Sequence, residues 1–123
     1  NTTASHLAGA RGAYGPVDVL TVQVVDCRPL FAWADFAKVD CEGHEATLIL
    51  ATTAVVWDHL DMLLEVGSED NARVIYDHLL GKVSLWAQKI GWQRVCTVED
   101  MPKHHSEGSL FIGREPPFPL REE

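Results

Sequence analysis

Alternating apolar and polar positions predict several short strands along this 123-residue chain. In Phe36–Val39 the apolar residues alternate with polar or small ones and include a β-branched valine, which is typical of a short strand. The pattern stops at Asp40, where an acidic turn begins. Four further segments have apolar runs of strand length: Val17–Val25, Asp61–Val66, Gln93–Val98 and Ser109–Gly113.

Helical patterns lie between these predicted strands. Asp26 can cap a short helix that leads to the strand at Phe36, and a second helix is expected from about His44 to Thr53. Ser68 can cap a third helix that ends at Gly91. Gly81 weakens its middle, and a break into two helices at Gly81 is the alternative. Apolar residues recur at steps of three or four along this third helix: Ala72, Ile75, Leu79, Val83, Trp86 and Ile90.

The element order β-α-β-α-β-α-β-β predicts an α/β fold. Strands that alternate with helices are usually joined by right-handed crossovers, so we expect a mostly parallel sheet. The last two strands are expected to pair as an antiparallel hairpin. We assign residues 1–113 to one α/β domain and residues 114–123, which contain three prolines, to an extended tail.

The amino-acid composition argues against two classes of binding partner, nucleic acids and membranes, and indicates the redox setting of the protein. The formal net charge of −8 argues against binding nucleic acid, because phosphate neutralisation needs clustered Lys and Arg. No apolar run approaches the roughly 20 residues of a membrane span, so we expect no membrane partner. Three cysteines without a repeated spacing favour a reducing, cytoplasmic setting over a disulfide framework.

Acidic residues follow two of the predicted strands. In α/β sheets ligands bind outside the carboxyl ends of the strands, so Asp40 and Glu42 are candidate catalytic residues that could orient a substrate or accept its proton. The structural alternative is that Asp40 caps the turn and Glu42 begins a helix. Glu65 ends the next apolar strand on the same edge and is a candidate substrate-binding residue.

Lys38 and His44 complete the candidate site. We expect Lys38 to act in catalysis and to pair with a carboxylate such as Glu65, because a buried lysine is rare without a partner. His44 is a candidate substrate-binding residue. The chain has no metal-ligand spacing of a known kind, so we predict no metal. A metal-dependent hydrolase that uses Asp40, Glu42 and His44 remains a third hypothesis.

The end of the predicted strand at Phe36–Val39 and the acidic turn after it resemble a known protein family. The residues 38–45, K-V-D-C-E-G-H-E, resemble the K-I-D-V-E-G-x-E signature of FkbM-type methyltransferases, which are class I enzymes that use S-adenosylmethionine. Weaker similarity at Val22–Cys27 and Leu63–Val66 extends the resemblance over roughly residues 17–112. It implies part of a Rossmann-like class I sheet that closes with an antiparallel strand pair. It also implies O-methyl transfer to a small molecule or sugar.

One part of the family pattern is missing. Such enzymes hold their cofactor with a D-x-G-x-N-x-G-like loop, and no such loop precedes Phe36. The chain is therefore expected to correspond to the C-terminal half of such an enzyme, inactive alone and a poor binder of S-adenosylmethionine. A non-catalytic interaction module with the same half-fold is the alternative. In either case, an open sheet edge at Phe36–Asp40 predicts pairing with another copy of the chain or coverage by Val17–Val25.

Overall fold

The computed structural model describes residues 18–118 and contains three α-helices and five strands in that range. We number both kinds of element in chain order. The helices are α1 (Cys27–Trp33), α2 (Glu45–Leu50) and α3 (Glu69–Leu79). The strands are β1 (Phe36–Val39), β2 (Asp61–Leu64), β3 (Leu85–Ala87), β4 (Gln93–Arg94) and β5 (Leu110–Ile112). Short 3-10 helices occupy Ala54–Asp58, Gln88–Ile90, Val98–Asp100 and His105–Glu107.

The five strands form one mixed sheet in the order β1-β2-β5-β3-β4. β1 and β2 are parallel, whereas β5 is antiparallel to both of its neighbours and β4 is antiparallel to β3. β1, β2 and β3 therefore run in the same direction, but only one of the four pairings is parallel. The α/β class is confirmed, and the prediction of a mostly parallel sheet is wrong because β5 inserts between two strands that run the opposite way.

The predicted hairpin of the last two strands is also wrong. β4 and β5 do not pair with each other, because β3 lies between them and pairs with both. β3 lies in a region where the sequence predicts a helix. α3 ends at Leu79, and Gly81 adopts a left-handed conformation at φ +78° that ends the helical path. Trp86 then lies in β3 and Ile90 lies in a 3-10 helix, so the predicted helical face does not extend to these two residues.

The predicted first strand is not formed. Val17 lies outside the described residues, and residues 18–25 have no regular secondary structure. Their side chains are exposed, with Val19 at 95% and Leu20 at 79% of full exposure. Strand propensity is favourable only when a segment packs against a neighbouring strand, and residues 18–25 have no such neighbour here.

Helices and the sheet share one apolar core. Met62 and Leu64 of β2 are fully buried, whereas Leu63, which points to the other side of the sheet, is partly exposed. Ile49 of α2 and Ile75 of α3 belong to the same buried cluster. This packing holds α2 and α3 against one side of the sheet and brings the starts of both helices beside the carboxyl ends of β1 and β2.

The remainder of the described chain adds little regular structure. Residues 114–118 contain no helix or strand, and residues 119–123 of the predicted tail lie outside the described range. The rings of Trp92 and Phe118 meet edge to face, with centroids 5.8 Å apart. Among residues 18–118, no helix is long and apolar enough to cross a membrane.

Candidate functional site

The acidic turn lies at the carboxyl end of β1, as the sequence predicts. Asp40 follows β1 directly and Glu65 follows β2 directly. Because these two strands are parallel, both residues lie at the same edge of the sheet. The Glu65 amide donates a hydrogen bond to the Val39 carbonyl at 3.0 Å, which continues the strand pairing into the site.

A cavity of about 730 Å³ opens at this edge. Its lining contains five carboxylates and one imidazole, with the rest supplied by small polar residues and glycines. Such a lining creates a negative potential that favours cations and hydroxyl-bearing ligands. The lining residues are Asp40, Glu42, Gly43, Glu45, Glu65, Gly67, Ser68, Asp70, Asn71 and His105.

The turn between β1 and α2 has an unusual backbone. Glu42 has φ +52° and Gly43 has φ +116°, so two successive residues take conformations with positive φ. Glycine adopts such a conformation at little steric cost, whereas a residue with a Cβ is disfavoured there. The turn must therefore be stabilised by other contacts, and these come from one buried side chain.

Glu45 is that side chain. It is the first residue of α2 and is only 1% exposed. Its carboxylate accepts hydrogen bonds from the backbone N–H groups of Cys41 at 2.9 Å and Gly43 at 3.2 Å. The side-chain amide of Asn71 donates a third bond at 3.3 Å. A buried carboxylate is tolerable only when its oxygens are satisfied in this way, so Glu45 holds the turn in place.

The sequence analysis did not assign this structural role to Glu45. Its position in the sequence could have indicated this role, because a carboxylate in the first turn of a helix can accept hydrogen bonds from the free backbone N–H groups at that end. Asn71 gave no comparable signal. Its amide also donates to the Val66 carbonyl at 3.1 Å, so one side chain links α3, α2 and the loop after β2.

Glu65 is held by Ser109, which directly precedes the neighbouring strand β5. The Ser109 hydroxyl donates to Glu65 Oε1 at 2.6 Å, and the Ser109 backbone N–H donates to Gln88 Oε1 at 3.0 Å. Ser109 reaches this edge because β5 runs opposite to β2, so the amino end of β5 meets the carboxyl end of β2. Sequence reasoning did not identify Ser109 as part of the site.

The structure brings Asp40, Glu42 and Glu65 to one cavity but places Lys38 and His44 elsewhere. Lys38 is exposed and lines a second cavity, so the expectation of a buried lysine paired with Glu65 is wrong. His44 precedes α2 at its N-cap, and its carbonyl accepts from the Leu48 amide at 3.2 Å. It is absent from the lining of the acidic cavity, whereas His105 belongs to that lining.

Cys41 lies inside the turn without the properties of a nucleophile. Burial and the negative charge of Glu45 raise the pKa of the Cys41 thiol to about 12. The reactive form of cysteine is the thiolate, so this side chain is essentially unreactive at neutral pH.

The arrangement gives no support to a metal-dependent hydrolase. Within residues 18–118, no group of three or more His, Cys, Asp and Glu side chains is placed to hold a metal ion. Asp40 and Glu42 line the acidic cavity without His44, so the three residues of that hypothesis do not converge there.

Comparisons of the chain with protein-family models, with curated proteins and with solved structures found no match. The resemblance to FkbM-type methyltransferases therefore depends on the residues quoted above, and the methyltransferase interpretation stays a prediction. The described chain is a small α/β protein whose five-stranded mixed sheet carries an acidic cavity at the carboxyl ends of β1 and β2.

Proposed function

We propose that this chain supplies the acceptor-binding side of an S-adenosylmethionine-dependent methyltransferase of the FkbM type. The proposed reaction is O-methyl transfer to a small molecule or sugar. One observation carries the proposal: the turn that contains Asp40 and Glu42 meets Glu65 at a single cavity at the carboxyl ends of neighbouring parallel strands. Ligand sites in open α/β sheets lie at this edge.

The sheet supports the proposal at the level of architecture. β1, β2 and β3 run in the same direction, and β5 runs against them near the end of the chain. This arrangement is compatible with the class I half-sheet and the closing antiparallel strands that the resemblance implies. A Rossmann-like origin for this half-fold is accordingly part of the proposal.

The chemistry of the lining suits a hydroxyl acceptor. Ionised carboxylates accept hydrogen bonds and can orient sugar hydroxyls, and Asp40 or Glu42 could take the proton that the acceptor oxygen loses. S-adenosylmethionine would supply a methyl group on a positively charged sulfur, and an acidic cavity suits that charge. Positioning of the acceptor would provide most of the rate enhancement.

The rigid parts of the site are consistent with that role. Glu45 and Asn71 hold the turn, and Ser109 holds Glu65, so the groups that would meet the acceptor are supported by hydrogen bonds from neighbouring elements. We assign no described residue to the nucleoside part of the cofactor, because residues 18–118 contain no D-x-G-x-N-x-G-like loop.

Methyl transfer is tested with the full protein that the natural reading frame encodes. It is incubated with S-adenosylmethionine carrying a tritiated methyl group and with a panel of sugars and small hydroxylated compounds. Asp40→Asn and Glu42→Gln are expected to lower transfer by about 100-fold or more, the range for loss of general-base catalysis. Glu69→Gln, at an exposed helix start, is the control and is expected to keep full activity. Absence of transfer to any acceptor, or full transfer by both site variants, would overturn the proposal.

A non-catalytic interaction module is the second candidate function. The exposed apolar side chains at the start of the described chain favour it, since residues 19–25 and Trp33 display five aliphatic side chains and one large ring to solvent. Large exposed apolar surfaces mark interaction sites in soluble proteins. Under this hypothesis Asp40→Asn and Glu42→Gln would leave the protein's biological activity unchanged, whereas Trp33→Ala would impair it.

A further inference from the structure

The outer edge of β1 has free hydrogen-bonding positions. The carbonyls of Asp35 and Val39 accept from the amides of Asp61 and Glu65 on the inner side, both at 3.0 Å. Successive residues of a strand point their backbone groups to opposite sides. The backbone groups of Phe36 and Lys38 therefore point outward, where the described part of the chain supplies no neighbouring strand.

An apolar groove runs beside this edge. It has a volume of about 430 Å³ and lies between α1, β1 and α2. Leu30 and Trp33 stand at its border and are 52% and 83% exposed. Ala37, Lys38 and Val39 of β1 all belong to its lining; Val39 is buried, whereas Lys38 is exposed. A strand added to β1 would thus meet the buried side chain of Val39 on one side and the exposed side chains of Phe36 and Lys38 on the other.

Residues 18–25 have the matching pattern. Leu20, Val22 and Val24 alternate with Thr21 and Gln23, so a strand formed by this segment would have one aliphatic side and one side that is polar in the middle, with Val19 and Val25 at its ends. Laid along β1, the aliphatic side would cover the groove and the polar side would lie beside Lys38. All of these side chains are exposed in the isolated chain, so none must leave a packed position in order to dock.

We propose that residues 18–25 of a second copy of this chain add as a strand to the outer edge of β1, and that the exchange is reciprocal. Each copy offers one edge and one segment, which gives a closed two-fold dimer. For a parallel strand a second copy fits better than the same chain, because only ten residues, 26–35, connect the segment to β1 and seven of them form α1. A parallel crossover within one chain needs about a dozen or more.

The first test is the mass of the 123-residue chain in solution. Light scattering during gel filtration should show a dimer at high concentration, while Val22→Glu and Lys38→Pro should give monomers with an unchanged circular dichroism spectrum. Val22 is exposed, and proline at Lys38 removes only an outward-pointing N–H, so both variants are expected to fold. Val55→Glu is the matched control, since Val55 is 66% exposed but lies in a different element, and it should remain dimeric.

The second test places the contact at β1. Hydrogen exchange at the Phe36 and Lys38 amides should slow by about tenfold or more between dilute and concentrated samples. A monomer at every concentration would overturn the proposal. A monomer with these amides already protected would show that the same chain covers its own edge. A dimer that persists in both Val22→Glu and Lys38→Pro would show that another surface is used, and either result would reject the exchange. These outcomes are independent of methyl transfer.

Discussion

Asn71 donates its side-chain amide to the buried carboxylate of Glu45 across 3.3 Å, and this bond joins α3 to α2 at the acidic cavity. The same carboxylate accepts from the backbone of the turn that carries Asp40 and Glu42. The turn therefore depends on an acid that is itself shielded from solvent. Of the acidic residues in this stretch, Glu45 is buried and supports the turn, whereas Asp40 and Glu42 line the cavity.

Replacement of Glu45 by alanine should destabilise the protein strongly. It leaves the backbone N–H groups of Cys41 and Gly43 and the side-chain amide of Asn71 without their acceptor in a partly buried place. Unsatisfied buried donors cost about 1–3 kcal/mol each, with partial relief from water, so we expect a loss of about 3 kcal/mol. Urea denaturation followed by circular dichroism measures the free energy of unfolding.

The matched control is Glu69→Ala. Glu69 is also the first residue of its helix, but its side chain is 64% exposed and its contact with Lys103 is 4.0 Å long. An exposed pair of this kind contributes little, and the lost helix-dipole interaction is small. We expect a change below about 1 kcal/mol. Equal losses for the two variants would contradict the structural role of Glu45.

Gly108 should be less tolerant of alanine than Gly91. Gly108 has φ +90° and ψ −167°, a region that only glycine enters readily, and an added Cβ would lie 2.5 Å from Gln88 Oε1. The clash would displace the acceptor of the Ser109 backbone N–H, next to the serine that holds Glu65. We expect Gly108→Ala to lower the free energy of unfolding by about 3 kcal/mol.

Gly91→Ala provides the comparison for that measurement. Gly91 also has a positive φ, +71°, but an added Cβ would meet nothing within 4 Å. Only the backbone penalty of about 1–2 kcal/mol then applies. Urea midpoints that fall equally for the two alanine variants would show that the contact with Gln88 contributes nothing.

The local part of the site could be predicted from the sequence. Phe36–Val39 alternates clearly, the acidic turn with Gly43 ends it, and Asp26 and Ser68 cap their helices as expected. These features depend on neighbours within a few residues, where side-chain period and capping are strong signals. The position of the turn at the carboxyl end of β1 follows directly from them.

The long-range part could not be predicted in the same way. Glu65 and Ser109 are 44 residues apart in the sequence yet form a hydrogen bond. The residues around each of them give no indication that the two will be in contact. Trp86 follows the three- and four-residue period of the preceding helix, yet pairing with β5 places it in a strand. Residues 18–25 have strand propensity but no partner strand within residues 18–118, and propensity alone does not form a strand.

Cys41 should react slowly with iodoacetamide. Burial first, and then the charge of Glu45, raise the pKa of its thiol from 9.0 to about 12. At pH 8 the thiolate fraction is then about a thousandfold smaller than for an unperturbed cysteine. Mass spectrometry of the alkylated peptides should show modification of the exposed Cys96 long before Cys41, and equal modification of both in urea. Comparable rates in the folded protein would contradict the environment assigned to Cys41.

The raised pKa of the Cys41 thiol also makes the free energy of unfolding depend on pH in the alkaline range. Above pH 9 the thiol of Cys41 ionises in the unfolded chain but stays protonated in the folded one until about pH 12. The unfolded state then binds fewer protons, so the free energy of unfolding falls as pH rises from 9 toward 12. Cys41 is only partly buried, which reduces the effect to about 1 kcal/mol at pH 11.

Urea denaturation at pH 7 and pH 11 should show a smaller fall in the free energy of unfolding for Cys41→Ser, because serine does not ionise in this range. A parallel fall in the two proteins would mean that Cys41 does not contribute, and that other ionisable groups alone cause the alkaline loss.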